Sequence, residues 1–154
     1  MAAYFLDSSA LVKRYLQETG TAWMVSLGDP TTNADLYIAR ITGPEVTAAI
    51  ARRGRSGNLS AIAVTSAVRQ FRLEFASLFR IVELTPEVLQ RAMDLAQIHG
   101  LRGYDAVQLA AVLTVNLLRL AQNLSALTLI SADQELNTAA AAEGLTVENP
   151  NSHP

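Results

Sequence analysis

Cysteine is absent from this chain of 154 residues, which removes disulfides and thiolate metal sites from consideration. A reducing cytoplasm is the compartment expected on that ground. Histidine is scarce: His99 and His153 alone are too few for an imidazole metal cage or a histidine-based triad. Lysine occurs once, at Lys13, and the net charge is -2, so no overall attraction to nucleic acid is expected and any such binding needs a local patch. There is no fixed-period repeat and no low-complexity tract. No basic segment precedes the first apolar run, which Asp7 interrupts, so a signal peptide is not expected. The longest weakly charged stretch, Ala106–Ala132, holds only Arg119 but also Gln108, Thr114, Asn116, Gln122, Asn123 and Ser125. It reads as a buried helix followed by a buried strand, not a membrane span.

What is present is apolar residue, at 50%, with only 17% charged, which excludes a disordered chain. The spacing predicts one α/β domain over residues 1–148 and a frayed tail over 149–154. Five short apolar runs read as strands: Ala3–Leu6, Leu36–Ala39, Arg80–Leu84, Leu127–Ile130 and Leu145–Val147. Helical periodicity fills the intervals. One helix runs from Asp7 towards Gly20, with Lys13 and Arg14 on its outer side, and another covers Thr21–Leu27. Further helices span Thr42–Arg53, Ser60–Phe79, a stretch after Thr85-Pro86-Glu87, Asp105–Asn123 and a stretch after Asp133. Strands alternating with helices argue for a parallel sheet covered on both faces.

Four acids share one topological property. Asp7 and Asp133 follow the first and fourth strands, while Glu45 and Asp105 open helices. In open parallel sheets, ligands bind beyond the carboxyl ends of strands where strand order reverses. The plain alternative is capping: Thr42 and Glu45 fit a capping box, Ser131 and Gln134 another, and Ser8 or Ser9 would cap the first helix with Asp7 assisting. If the acids converge, charge decides their chemistry. Two carboxylates about 5 Å apart repel by roughly 3 kcal/mol at an effective dielectric near 20. Such a cluster either keeps protons or takes a divalent cation, and oxygen donors alone select Mg²⁺ or Mn²⁺. That suits phosphodiester hydrolysis by activated water, leaving a 5′-phosphate and a 3′-hydroxyl. Ser9 and Ser131 are accessory candidates. Arg102 and Tyr104 are candidates for substrate contact or loop packing. Seven arginines between Arg40 and Arg80 make either a phosphate-facing strip or a solvated helix face. A dehalogenase-like phosphatase would want an acid where Ser9 stands, and a phosphoacceptor receiver domain a lysine late in the sheet.

The stretches Tyr4–Lys13, Glu45 within Ile41–Ala48, Leu101–Ala110 and Leu129–Asp133 together resemble, in order, the four acidic motifs of PIN-domain ribonucleases, above all VapC-type toxins. The resemblance implies a three-layer α/β fold with strand order 3-2-1-4-5 and an Mg²⁺- or Mn²⁺-dependent endoribonuclease. It makes Asp7, Glu45, Asp105 and Asp133 the catalytic and metal-binding acids. It also implies an RNA substrate, a homodimer and an antitoxin partner whose tail fills the groove. The competing reading of the same acids is a PIN-like module that binds RNA or protein without cutting.

Overall fold

A computed structural model describes residues Met1–Pro154. The strands are β1 (Ala3–Leu6), β2 (Asp35–Ala39), β3 (Arg80–Val82), β4 (Thr128–Ile130) and β5 (Thr146–Glu148). All pair in parallel, in the order β3-β2-β1-β4-β5. The helices are α1 (Ser8–Leu11), α2 (Thr21–Ser26), α3 (Thr42–Arg55), α4 (Ala61–Ser77), α5 (Pro86–His99), α6 (Gly103–Ala121) and α7 (Gln134–Ala142).

The two-residue period of the strands builds both faces. Ala3, Phe5, Ala39 and Leu129 enter one core with α5, α6 and α7. Leu6, Leu36, Ile38 and Ile130 enter the other with α1, α3 and α4. Phe5, Leu6, Ile38, Leu129 and Ile130 are fully enclosed, each contributing about 1.5–3 kcal/mol of burial. The chain winds outward from β1 to β3, then restarts on the other side of β1 at β4. The switch point therefore lies between β1 and β4, where Leu6 is level with Ile130.

α6 is long and apolar enough to cross a membrane by length and composition. Here its first half lies inside the core, with Ala106, Leu109, Ala110, Ala111 and Val112 buried. Its far end departs from the all-round burial that its sequence suggests, because Leu117, Leu118 and Leu120 are exposed.

Two other expectations fail locally. The first helix stops after one α turn and a 3-10 turn at Val12–Arg14. Lys13 is buried against Glu18 (3.0 Å), and Arg14 donates to the carbonyls of Met24 and Val25, so these side chains fold the segment back. The stretch expected to fray is folded too. It carries a 3-10 turn at Pro150–Ser152, Pro150 is buried, and the His153 ring stacks on Trp23 with centroids 4.0 Å apart. Gly20 permits this: at φ +89°, any side chain there would collide with the Pro150 carbonyl.

Candidate active site

Asp7 is the first residue past β1, and its extended backbone makes it the N-cap of α1. Its Oδ1 accepts the Ala10 N–H at 3.1 Å. Ser9 Oγ lies 2.8 and 3.0 Å from the two carboxylate oxygens. The residue is 2% exposed and no cation pairs with it. Burial pushes its carboxyl up to about 7 against the pull of the Ser9 and Ala10 bonds, and the charge of Asp105 adds to the rise.

Glu45 is not a cap. α3 begins at Thr42 with Ile41 in the cap position and no side-chain cap bond, so the Thr42–Glu45 box does not form. Buried Thr42 instead accepts from Gln108 Nε2 at 2.9 Å, and the same nitrogen donates to Glu45 Oε1 at 2.9 Å. Ser8 Oγ donates to Glu45 Oε2 at 3.1 Å. Burial raises the Glu45 carboxyl, Gln108 and Ser8 oppose the rise, and Asp105 reinforces it.

Asp105 lies in the first turn of α6 and caps nothing; the cap position belongs to Arg102, which makes no side-chain cap bond. Its carboxyl is raised by burial and by Asp133, with Arg102, 3.8 Å away, pulling the other way. Asp133 does cap: its Oδ1 accepts the Leu136 N–H at 2.9 Å. The box expected from Ser131 and Gln134 gives way to this single cap, and Ser131 Oγ accepts the Asp133 N–H at 3.0 Å.

Ser9 Oγ also accepts the Ala132 N–H at 3.0 Å and lies 3.4 Å from Ser131 Oγ. The two serines thus tie the carboxyl ends of β1 and β4 together.

All four acids line one cavity of about 630 Å³, with Ser8, Ser9, Arg52, Arg102 and Tyr104 among its other walls. Sequence reasoning placed the acids together but gave Gln108 no role, read Ser8 only as a candidate cap, and counted Arg52 only among the seven arginines of a phosphate-facing strip or solvated face. The available signals were spacing: Gln108 lies three residues past Asp105 and Arg52 seven past Glu45, each on the same helix face.

The donor set is oxygen only. No three Asp, Glu or His side chains stand close enough to close on one ion. That suits a cation that keeps most of its own waters and takes one or two carboxylates plus substrate phosphate, as Mg²⁺ does, and disfavours a closed cage.

No family model matches the chain. Two curated relatives from Mycobacterium tuberculosis do: Ribonuclease VapC45 (strain CDC 1551 / Oshkosh) and Ribonuclease VapC49 (strain ATCC 25618 / H37Rv). Each is 39% identical over 115 residues, or 75% of this chain and 78% of the relative. A solved toxin–antitoxin complex from Klebsiella pneumoniae contains a chain of similar fold. Its TM-score is 0.61 at 18% identity, over 96% of this chain and 97% of that one.

Proposed function

This chain belongs to the VapC family of ribonucleases, and from that membership we propose that it is an Mg²⁺- or Mn²⁺-dependent endoribonuclease acting as the toxin of a toxin–antitoxin pair. The observation that carries the reading is the cavity at the switch point, lined by Asp7, Glu45, Asp105 and Asp133, where only Asp105 has a basic neighbour within 4.0 Å. One or two of Asp7, Glu45, Asp105 and Asp133 would hold the divalent ion directly and the others would act through its waters; when bound, the ion would polarise phosphate and lower the pKa of water.

The protein's own groups prepare that site. Ser9 and the Ala10 N–H fix the orientation of the Asp7 carboxylate, and Ser8 and Gln108 hold Glu45 from both sides. Burial makes the charged form of Asp7 costly, so the side chain gains most from a cation or a proton. Water attacking phosphorus in line with the 3′ oxygen forms a new P–O bond as the P–O3′ bond breaks, the water giving up a proton and the leaving 3′ oxygen taking one up. The products are a 5′-phosphate and a 3′-hydroxyl.

The cytoplasm is the proposed compartment. An antitoxin protein is the proposed partner, consistent with the toxin–antitoxin complex whose chain shares this fold. A homodimer is proposed as the assembled state, and the exposed leucines Leu117, Leu118 and Leu120 are a surface such a contact would cover.

The test is cleavage of RNA with Mg²⁺ or Mn²⁺, alongside EDTA and Asp7→Asn. Both controls are expected to lower the rate at least about 100-fold, a barrier increase of about 3 kcal/mol. Undiminished cutting in both, or products ending in a cyclic phosphate, would overturn the mechanism.

A further inference from the structure

Resting on the ribonuclease reading above, we propose that Arg52 is a positioning residue that grips the RNA backbone and draws a phosphodiester in among the acids. Only two basic side chains border the acidic cavity, Arg52 and Arg102. Arg102 already leans on Asp105 at 3.8 Å. Elsewhere five arginines are paired: Arg14 with Glu74, Arg40 with Glu83, Arg53 with Glu18, and both Arg80 and Arg119 with Asp35; Arg55, Arg69, Arg72 and Arg91 have no carboxylate partner either, but none of them lines the acidic cavity. Arg52 has no carboxylate partner within 4.0 Å, although it is exposed at the wall of a cavity lined by four acids.

Helix geometry accounts for this. Arg52 follows Glu45 by seven residues, two turns along the same face of α3 and about 10 Å along its axis. Ala48 and Ala49 line the wall between them, and their short side chains leave the floor open. The helix dipole favours arginines at this end of α3, where Arg52, Arg53 and Arg55 all lie. It does not explain why one of them faces the cavity without a partner.

Charge supplies the reason. A polyanion approaching four carboxylates on a chain of net charge -2 is repelled unless something local attracts it. A free guanidinium offers a planar fork of donors that matches phosphate oxygens. At about 10 Å from Glu45 along the helix, it meets backbone next to the bond being cut and leaves the acids to the scissile phosphate itself.

The experiment measures binding of a labelled single-stranded oligoribonucleotide across a salt series, in an Asp7→Asn background so that the strand stays whole. Arg52→Gln is expected to weaken binding about tenfold at low salt and to reduce the slope of log K against log salt by about 0.7, the value for one lost phosphate contact. Arg52→Lys is expected to keep that slope, and in the active protein Arg52→Gln should raise KM more than it lowers kcat. Arg91→Gln removes the same charge from α5, outside the cavity, and is expected to leave the slope unchanged.

If Arg52→Gln binds with the parent's slope, or Arg91→Gln loses as much, the assignment of Arg52 falls while the ribonuclease reading stands. If the parent neither binds nor cuts RNA, both fall together.

Discussion

At the amino-terminal edge of the sheet Asp35 meets two arginines; at the carboxyl edge Asp7 meets none. Asp35 accepts from Arg80 at 2.9 Å and from Arg119 at 3.1 Å. Arg119, only 4% exposed, also bonds the Tyr37 hydroxyl and the Ser125 carbonyl. The flank follows the same rule. Although burial works against the charge of Glu74, bonds from Arg14, Tyr15 and Gln70 hold its carboxyl below the usual range. Glu18 takes both Lys13 and Arg53. Where this fold uses a partly buried acid for architecture, it supplies a cation; at the switch point it supplies hydroxyls, an amide and other acids. Desolvated charge without a counter-charge is costly in the empty protein, and a cation from solution, as the proposed function requires, would relieve that cost.

The sharpest way to break this contrast is to follow stability against pH with no metal present. The Asp7 carboxyl keeps its proton to about 7 in the folded chain, against an ordinary value of 3.8. Between those limits the unfolded chain binds fewer protons, so stability falls as pH rises through the window and levels off above it. The contribution of Asp7 is on the order of 4 kcal/mol. Asp7→Asn removes the titrating group and keeps an oxygen for the Ala10 N–H. In EDTA the variant is expected to match the parent near pH 4 and exceed its stability by a few kcal/mol near pH 8. Urea melts that coincide at both pH values would show that burial does not strain this acid.

The opposite edge should respond with the opposite sign. Asp35→Ala strips Arg119 of its carboxylate and leaves a buried cation, at a cost of about 3 kcal/mol in the same melts. Cleavage per folded molecule is expected to stay at the parental rate, since the change lies at the far end of the strands. A loss of activity without a loss of stability would erase the distinction between the two edges.

Much of this was legible from the chain. The run Ala3–Leu6 ending in Asp7 is a buried strand, as a short apolar run closed by an acid and followed at once by helical spacing suggests. The set of four acids converged because parallel strands and the helices that follow them share one rim. What pattern reading could not resolve was which acid does what locally. Capping depends on the backbone angles of one residue, and a helix boundary shifted by one position changes the answer. The sequence leaves Glu45 open between a capping box and the acid site, and offers Ser8 or Ser9 as the cap beside Asp7. In the fold Asp7 caps α1, while Glu45 lies inside α3 and is held by Gln108, 63 residues away. Contacts of that range carry no periodic signature. The early stop of the first helix and the folded tail were hidden for the same reason, since they depend on Arg14 reaching α2 and His153 reaching Trp23.

Asp133 offers the smallest but most discriminating effect, because it is both a cap and a member of the cavity. Asparagine caps a helix about as well as aspartate, so Asp133→Asn keeps the bond to the Leu136 N–H and removes only the charge. Asp133→Ala removes both and is expected to cost about 1 kcal/mol of stability. If the carboxylate serves the reaction, the two variants should lose cleavage to a similar extent while only the alanine variant melts earlier. If Asp133 is a cap and nothing more, Asp133→Asn will cut RNA at the parental rate, and the cavity works with three acids in place of four. The comparison needs no assumption about metal geometry, because the asparagine separates holding the helix from carrying the charge.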